Sequence, residues 1–84
     1  MITVQARFFA LYRERVGKNT EALDVPDNAT VADAVAEVMR RWPQFCPNPA
    51  AVVVAVNREY QDHKHPLKKG DELAFIPPVS GGAA

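Results

Sequence analysis

The stretch that most limits what this chain can become is PDNATVADAVAEVMRRWP, residues 26–43. Val31, Val35, Val38, Met39 and Trp42 recur on one face at helical spacing. Thr30 and Asp33 make a capping-box-like start, and Pro43 ends the run. A helix with one apolar face must lay that face on something. With 84 residues there is room for a single core, because a chain of this size buries only about 60% of the surface it exposes when unfolded. The cover therefore has to come from the segments on either side, and those alternate as strands do.

Ile2, Val4, Ala6 and Phe8 alternate with Thr3, Gln5, Arg7 and Phe9, a period of two that predicts a strand and points Phe9 away from the core. ALYRERVG follows as a short helical turn with Gly17 as its stop. TEALDV, residues 20–25, reads as a second strand, antiparallel to the first, with Leu23 and Val25 inward. Beyond the long helix, FCPNP is a loop, AVVVAV is an apolar run short enough to be a strand buried on both faces, and Asn57 opens a polar turn. KKGDELAFIP supplies a turn at Lys69 and Gly70, then a strand in which Leu73 and Phe75 alternate with Ala74 and Ile76 until Pro77. This order predicts an α+β domain over residues 1–77, one long helix packed across a mixed sheet. With the first and last strands parallel and central, and the helix as a right-handed crossover between the halves, the arrangement is a β-grasp. Residues 78–84 carry no packing pattern and read as a flexible tail.

Composition removes several function classes. Ten basic and ten acidic residues balance, so there is no electrostatic footprint for nucleic acid. The basic pairs Arg40–Arg41 and Lys68–Lys69 read as solvated faces, offset by acids such as Asp71 and Glu72. The apolar run AAVVVAV is far shorter than the roughly 20 residues that cross a bilayer, and MITVQARFF has no signal-peptide character; a cytoplasmic location with no membrane contact is expected. Cys46 is the single cysteine, which fits a reducing compartment and reads as space-filling at a loop edge. His63 and His65 lack further ligands nearby and read as a solvated turn, so no metal is expected. No serine–histidine–acid set and no glycine-rich phosphate loop is present. Trp42 reads as core. The chain has no catalytic group of its own and no bound cofactor to be expected.

Three stretches narrow the reading further: RFFALYRERVG, VAVN and GDELAFIPPVSGG. In order and spacing they resemble the small sulfur-carrier subunits of molybdopterin synthase, a ubiquitin-like β-grasp family, over residues 2–82. The resemblance implies the fold and an activity that pattern reading does not supply. A partner enzyme that uses ATP adenylates the C-terminal glycine carboxylate, sulfur replaces the adenylate to give a thiocarboxylate, and the large synthase subunit takes that sulfur for the dithiolene of molybdopterin. Gly81 and Gly82 match the family's terminal pair. Without Cβ they fit a narrow channel where backbone approaches closely, while Pro77 and Pro78 keep the stem extended and lower the ordering cost of docking.

The resemblance also places Phe9, Arg13, Tyr60 and Ile76 on an outer sheet face that docks partners, with Pro77, Pro78 and Val79 leading from it to the tip. Phe9 and Ile76 fall on outward phases of neighbouring strands, which is the makings of an exposed apolar patch. One patch serving both the activating enzyme and the large subunit requires the two to bind in turn; the synthase itself is expected as a heterotetramer. Ala83 and Ala84 depart from the family pattern. They are expected to be removed to expose Gly82, the alternatives being a blocked tail or a relative that has lost carrier chemistry. Rival readings are a sulfur carrier for thiazole or cysteine synthesis, a ubiquitin-like modifier joined to protein lysines, and a binding module that keeps only the fold.

Overall fold

The computed structural model describes residues 1–77. Strand β1 (Ile2–Phe8) runs into helix α1 (Ala10–Val16), then β2 (Thr20–Val25), α2 (Val31–Arg41), a 3-10 turn (Pro49–Ala51), β3 (Val53–Val56), β4 (Glu59–Gln61) and β5 (Glu72–Ile76). The sheet order is β2-β1-β5-β3-β4. β1 and β5 lie parallel at the centre, Ala6 opposite Leu73 and Phe8 opposite Phe75, and the other pairings are antiparallel. This is the β-grasp arrangement, and α2 lies across it.

Alternation decides the two faces. Val4, Ala6 and Phe8 of β1, Leu23 and Val25 of β2, Val54 and Val56 of β3, and Leu73 and Phe75 of β5 are all buried. Val31, Ala34, Val35 and Val38 of α2 meet them, with Met39 and Trp42 partly buried at the margin. Thr30 and Asp33 form the capping box, the Thr30 amide donating to Asp33 Oδ2 at 2.8 Å, so a polar helix start is satisfied where the chain turns onto the sheet. Gly17 takes φ 82° to end α1, a backbone that a side chain would disfavour.

Several expectations need correcting. Strand β1 ends at Phe8, and Phe9 is the residue that caps α1. The apolar run after the loop forms a strand only from Val53, and it is not buried throughout: Val53 is exposed while Val54, Ala55 and Val56 are buried. Strand β4 was not legible, because three residues of mixed polarity, Glu59, Tyr60 and Gln61, carry no period. Phe45, in a segment read only as loop, is fully buried and packs against Phe8, Tyr12 and Phe75. Arg41 is not a solvated charge but reaches Glu37 at 2.9 Å and Glu21 at 3.2 Å, tying α2 to β2. Asp71 is buried rather than a surface acid; it accepts from Asn57 Nδ2 at 2.9 Å and from the Lys68 amide at 2.8 Å.

His63 and His65 also differ from a solvated turn. His63 Nε2 sits 2.8 Å from the Val52 carbonyl oxygen, and the backbone carbonyls of His63 and His65 accept from the Ala32 and Val31 amides. The segment thus satisfies the free donors at the start of α2, which a helix cannot satisfy by itself. Among the described residues no cluster of side chains is arranged to hold a metal ion, and no helix is long and apolar enough to cross a membrane.

Candidate functional site

The outer face of the sheet, opposite α2, carries a shallow apolar depression of about 410 Å³ lined by Phe9, Ala55, Arg58, Tyr60, Ala74 and Ile76. Its construction follows from register. Ala55 pairs with Ala74 across β3 and β5 and with Tyr60 across β3 and β4, so two alanines form a low floor at the point where three strands meet. Larger side chains stand around it: Ile76 from the last residue of β5, Tyr60 from β4 and Phe9 from the junction between β1 and α1. Tyr60 is 74% exposed and Phe9 39%. Aromatic groups left this open in so small a fold are what an interface uses, since they combine large contact area with few torsions to fix.

Charge is arranged around the same depression. The Arg7 guanidinium lies 5.7 Å from the centre of the Phe9 ring and 3.7 Å from Glu72, so it stacks on one wall while a carboxylate holds it from the side. Arg58 lines the opposite wall and makes no ion pair among the described residues.

The structure brings Phe9, Tyr60 and Ile76 to one depression on the outer face. Arg13 lies exposed on α1 and is not among the lining residues. Pro77 is half-buried directly after β5. Pro78, Val79, Gly81 and Gly82 lie outside the described residues. Sequence reading missed Ala55, Arg58 and Ala74, which belong to the depression only through the β3–β5 register and the short β3–β4 hairpin.

The remaining chemistry argues against a catalytic centre in the described part. Burial pushes the Cys46 thiol and the Tyr12 phenol up, so neither is a ready nucleophile. Cys46 Sγ lies 4.0 Å from Met39 Sδ, at the edge of the core. A second apolar groove, about 430 Å³, runs between α2 and the 3-10 turn and is lined by Ala32, Val35, Ala36, Met39, Pro49, Ala50 and His63.

A family model described as the ThiS family matches residues 6–82. The chain belongs to the ThiS family. It stands among the molybdopterin synthase sulfur carrier subunits, being 38% identical over 82 residues to that subunit from Chlamydomonas reinhardtii, with 94% of this chain and 98% of the relative covered. A solved protein from Pyrococcus furiosus, assigned as molybdopterin converting factor subunit 1, superposes with a TM-score of 0.85 at 30% identity, covering 94% of this chain and all of that one. SAMP1 of Haloferax volcanii, a small archaeal modifier protein, superposes with a TM-score of 0.79 at 30% identity, covering 95% and 99% of the two chains. The ThiS match reaches through Gly81 and Gly82, the residues that sequence reading singled out at the tip.

Proposed function

We propose that this family member carries sulfur for molybdopterin synthesis as a thiocarboxylate on Gly82, residues beyond Gly82 having been removed. The observation that carries the reading is the match through Gly82, joined to an apolar depression whose wall includes Ile76, the last residue before the tail stem. A partner seated there receives the tail at its root. A carboxylate is a poor electrophile, so an activating enzyme must first attach AMP from ATP, with pyrophosphate leaving. A sulfur donor then displaces AMP. The carrier supplies no catalytic group; its work is to dock, to present the tip, and to leave.

Two partners follow, the ATP-using activating enzyme and the large subunit of the synthase, and the protein acts in the cytoplasm. Both partners use the one outer depression, so handover requires dissociation. Phe9, Tyr60 and Ile76 supply the contact, Arg13 on α1 is a further partner-contacting position, and Pro77, Pro78 and Val79 lead in sequence to Gly81 and Gly82. Intact mass spectrometry tests this. Protein ending at Gly82, incubated with the activating enzyme, ATP and a sulfur donor, is expected to gain the oxygen-to-sulfur mass difference at its C-terminus. No gain, with both the enzyme and a known carrier active in the same mixture, contradicts the reading.

The likeness to a small archaeal modifier favours a second use of the same activated tail, transfer of the Gly82 acyl group to a protein lysine. Tryptic peptides from cells bearing the remnant GDELAFIPPVSGG, residues 70–82 of this chain, on a lysine side chain would establish it. Their absence, alongside abundant thiocarboxylate, would leave sulfur transfer alone.

A further inference from the structure

The β3–β4 hairpin closes with a two-residue loop, Asn57 and Arg58, whose flanking residues Val56 and Glu59 pair directly. Both loop residues have positive φ, 51° for Asn57 and 75° for Arg58, the signature of the tight turn whose twist suits a hairpin. Asparagine is at home at the first position. The second is where glycine is preferred, and an arginine there holds a strained backbone that its own turn does not reward. Asn57 has a structural role as well: its side-chain oxygen accepts from the Glu72 amide at 3.0 Å and its Nδ2 donates to Asp71. Among the described residues Arg58 makes no such bond. Its side chain is exposed, lines the outer depression beside Tyr60, and makes no ion pair among the described residues. Glu59, the next residue, belongs instead to the hollow on the other side of β4, with Gln61 and His65. Arg7, the other arginine at this face, is already engaged by Glu72 and the Phe9 ring.

We infer that Arg58 is a specificity-determining residue of the docking face, held at a strained turn position to meet a carboxylate on the surface of the synthase partner. The apolar floor supplies contact area and is indifferent to which apolar surface covers it. A guanidinium carried at its rim disfavours a partner that brings no anion there, because the charge would lose water without gaining an ion pair. The hairpin turn makes the selection sharper, since two residues closing a paired ladder leave the Arg58 backbone little room to swing away.

This inference rests on the carrier reading, and the test separates the two. Binding of the full chain to the large synthase subunit is measured by calorimetry across a range of salt concentrations, for the unaltered protein, Arg58→Gly and Arg58→Glu. Glycine suits the turn, so R58G is expected to keep or raise the thermal midpoint while weakening binding about two- to fivefold, the ordinary worth of a rim ion pair, and flattening its salt dependence. R58E is expected to weaken binding further, with an affinity that rises as salt is added. Unchanged affinity and salt dependence in both folded variants overturns the role of Arg58 and leaves the carrier reading standing. Failure of the unaltered chain to bind the large subunit overturns both.

Discussion

Phe8 and Phe9 are neighbours in sequence and opposites in the fold. Phe8 is 2% exposed, stacked on Phe75 with ring centres 5.5 Å apart and edged by Phe45 and Trp42; Phe9 is 39% exposed and touched by a guanidinium. The same pairing recurs at the other central strand, where Phe75 is fully buried and Ile76 lines the outer depression. One sheet therefore uses its two faces for two purposes. The inner face spends its apolar residues on cohesion with α2, and the outer face leaves apolar residues uncovered around an alanine floor. The outer face can change without disturbing the core, because adjacent residues on a strand do not share an environment.

The largest effect is expected from Phe8→Ala, which should cost about 3–5 kcal/mol of folding stability through the cavity it leaves among three aromatic rings. Thermal or urea unfolding reads it directly, and a domain this small has little to spare. Phe9→Asp should do the reverse: an unfolding midpoint close to that of the unaltered protein, and an affinity for the synthase partner lowered about 30-fold or more, the size of an interface hot spot. A loss of fold from F9D would break the comparison between the faces.

Asp71→Ala comes next. It removes the acceptor of the Lys68 amide and of one Asn57 donor at a partly buried corner, and should cost about 1–3 kcal/mol while leaving partner affinity almost unchanged in the folded fraction. Because Asn57 positions the turn that carries Arg58, any affinity loss in this variant should appear as altered salt dependence. Cys46→Ala sharpens the contrast from the other side. Its thiol is buried and its proton is held more tightly than usual, so the variant should lose some stability and still be charged with sulfur by the activating enzyme; failure to charge would move sulfur chemistry into the folded domain.

The smallest effect belongs to Glu37. Hydrogen bonds from Arg40, then Arg41, hold its carboxyl at about 2, below the ordinary 4.5. A carboxyl depressed in the folded state stabilises above its unfolded value, so this contribution is full above about pH 4.5 and is lost as pH falls through about 2. Glu37→Gln should therefore differ from the unaltered protein near neutral pH, by less than about 1 kcal/mol given solvent screening, and the difference should vanish toward pH 2 in pH-dependent unfolding.

Much of this was legible in the sequence where the residues carried a period. Alternation in β1 and β5 and the helical spacing of α2 gave the layers, and the ends of those strands gave Phe9 and Ile76 as outward. What escaped was set by pairing across the sheet. Strand β4 is too short to show a period, and Ala55 and Ala74 became a floor only through the register that places them opposite each other. Phe45 was lost for a related reason: a lone aromatic among prolines has no pattern, and only the packing of three other rings around it reveals a core position. The histidine segment similarly gained its role from the start of α2, some thirty residues away in sequence.

The division of the two faces is tested most directly by mapping backbone amide resonances of the isotopically labelled chain during titration with the large synthase subunit. The account predicts that Phe9, Ala55, Arg58, Tyr60, Ala74 and Ile76 shift or broaden first, while Ala32, Val35, Ala36 and Met39, beside the groove on the helix side, stay in place. Perturbation centred on the helix-side groove, with the outer depression silent, would contradict it.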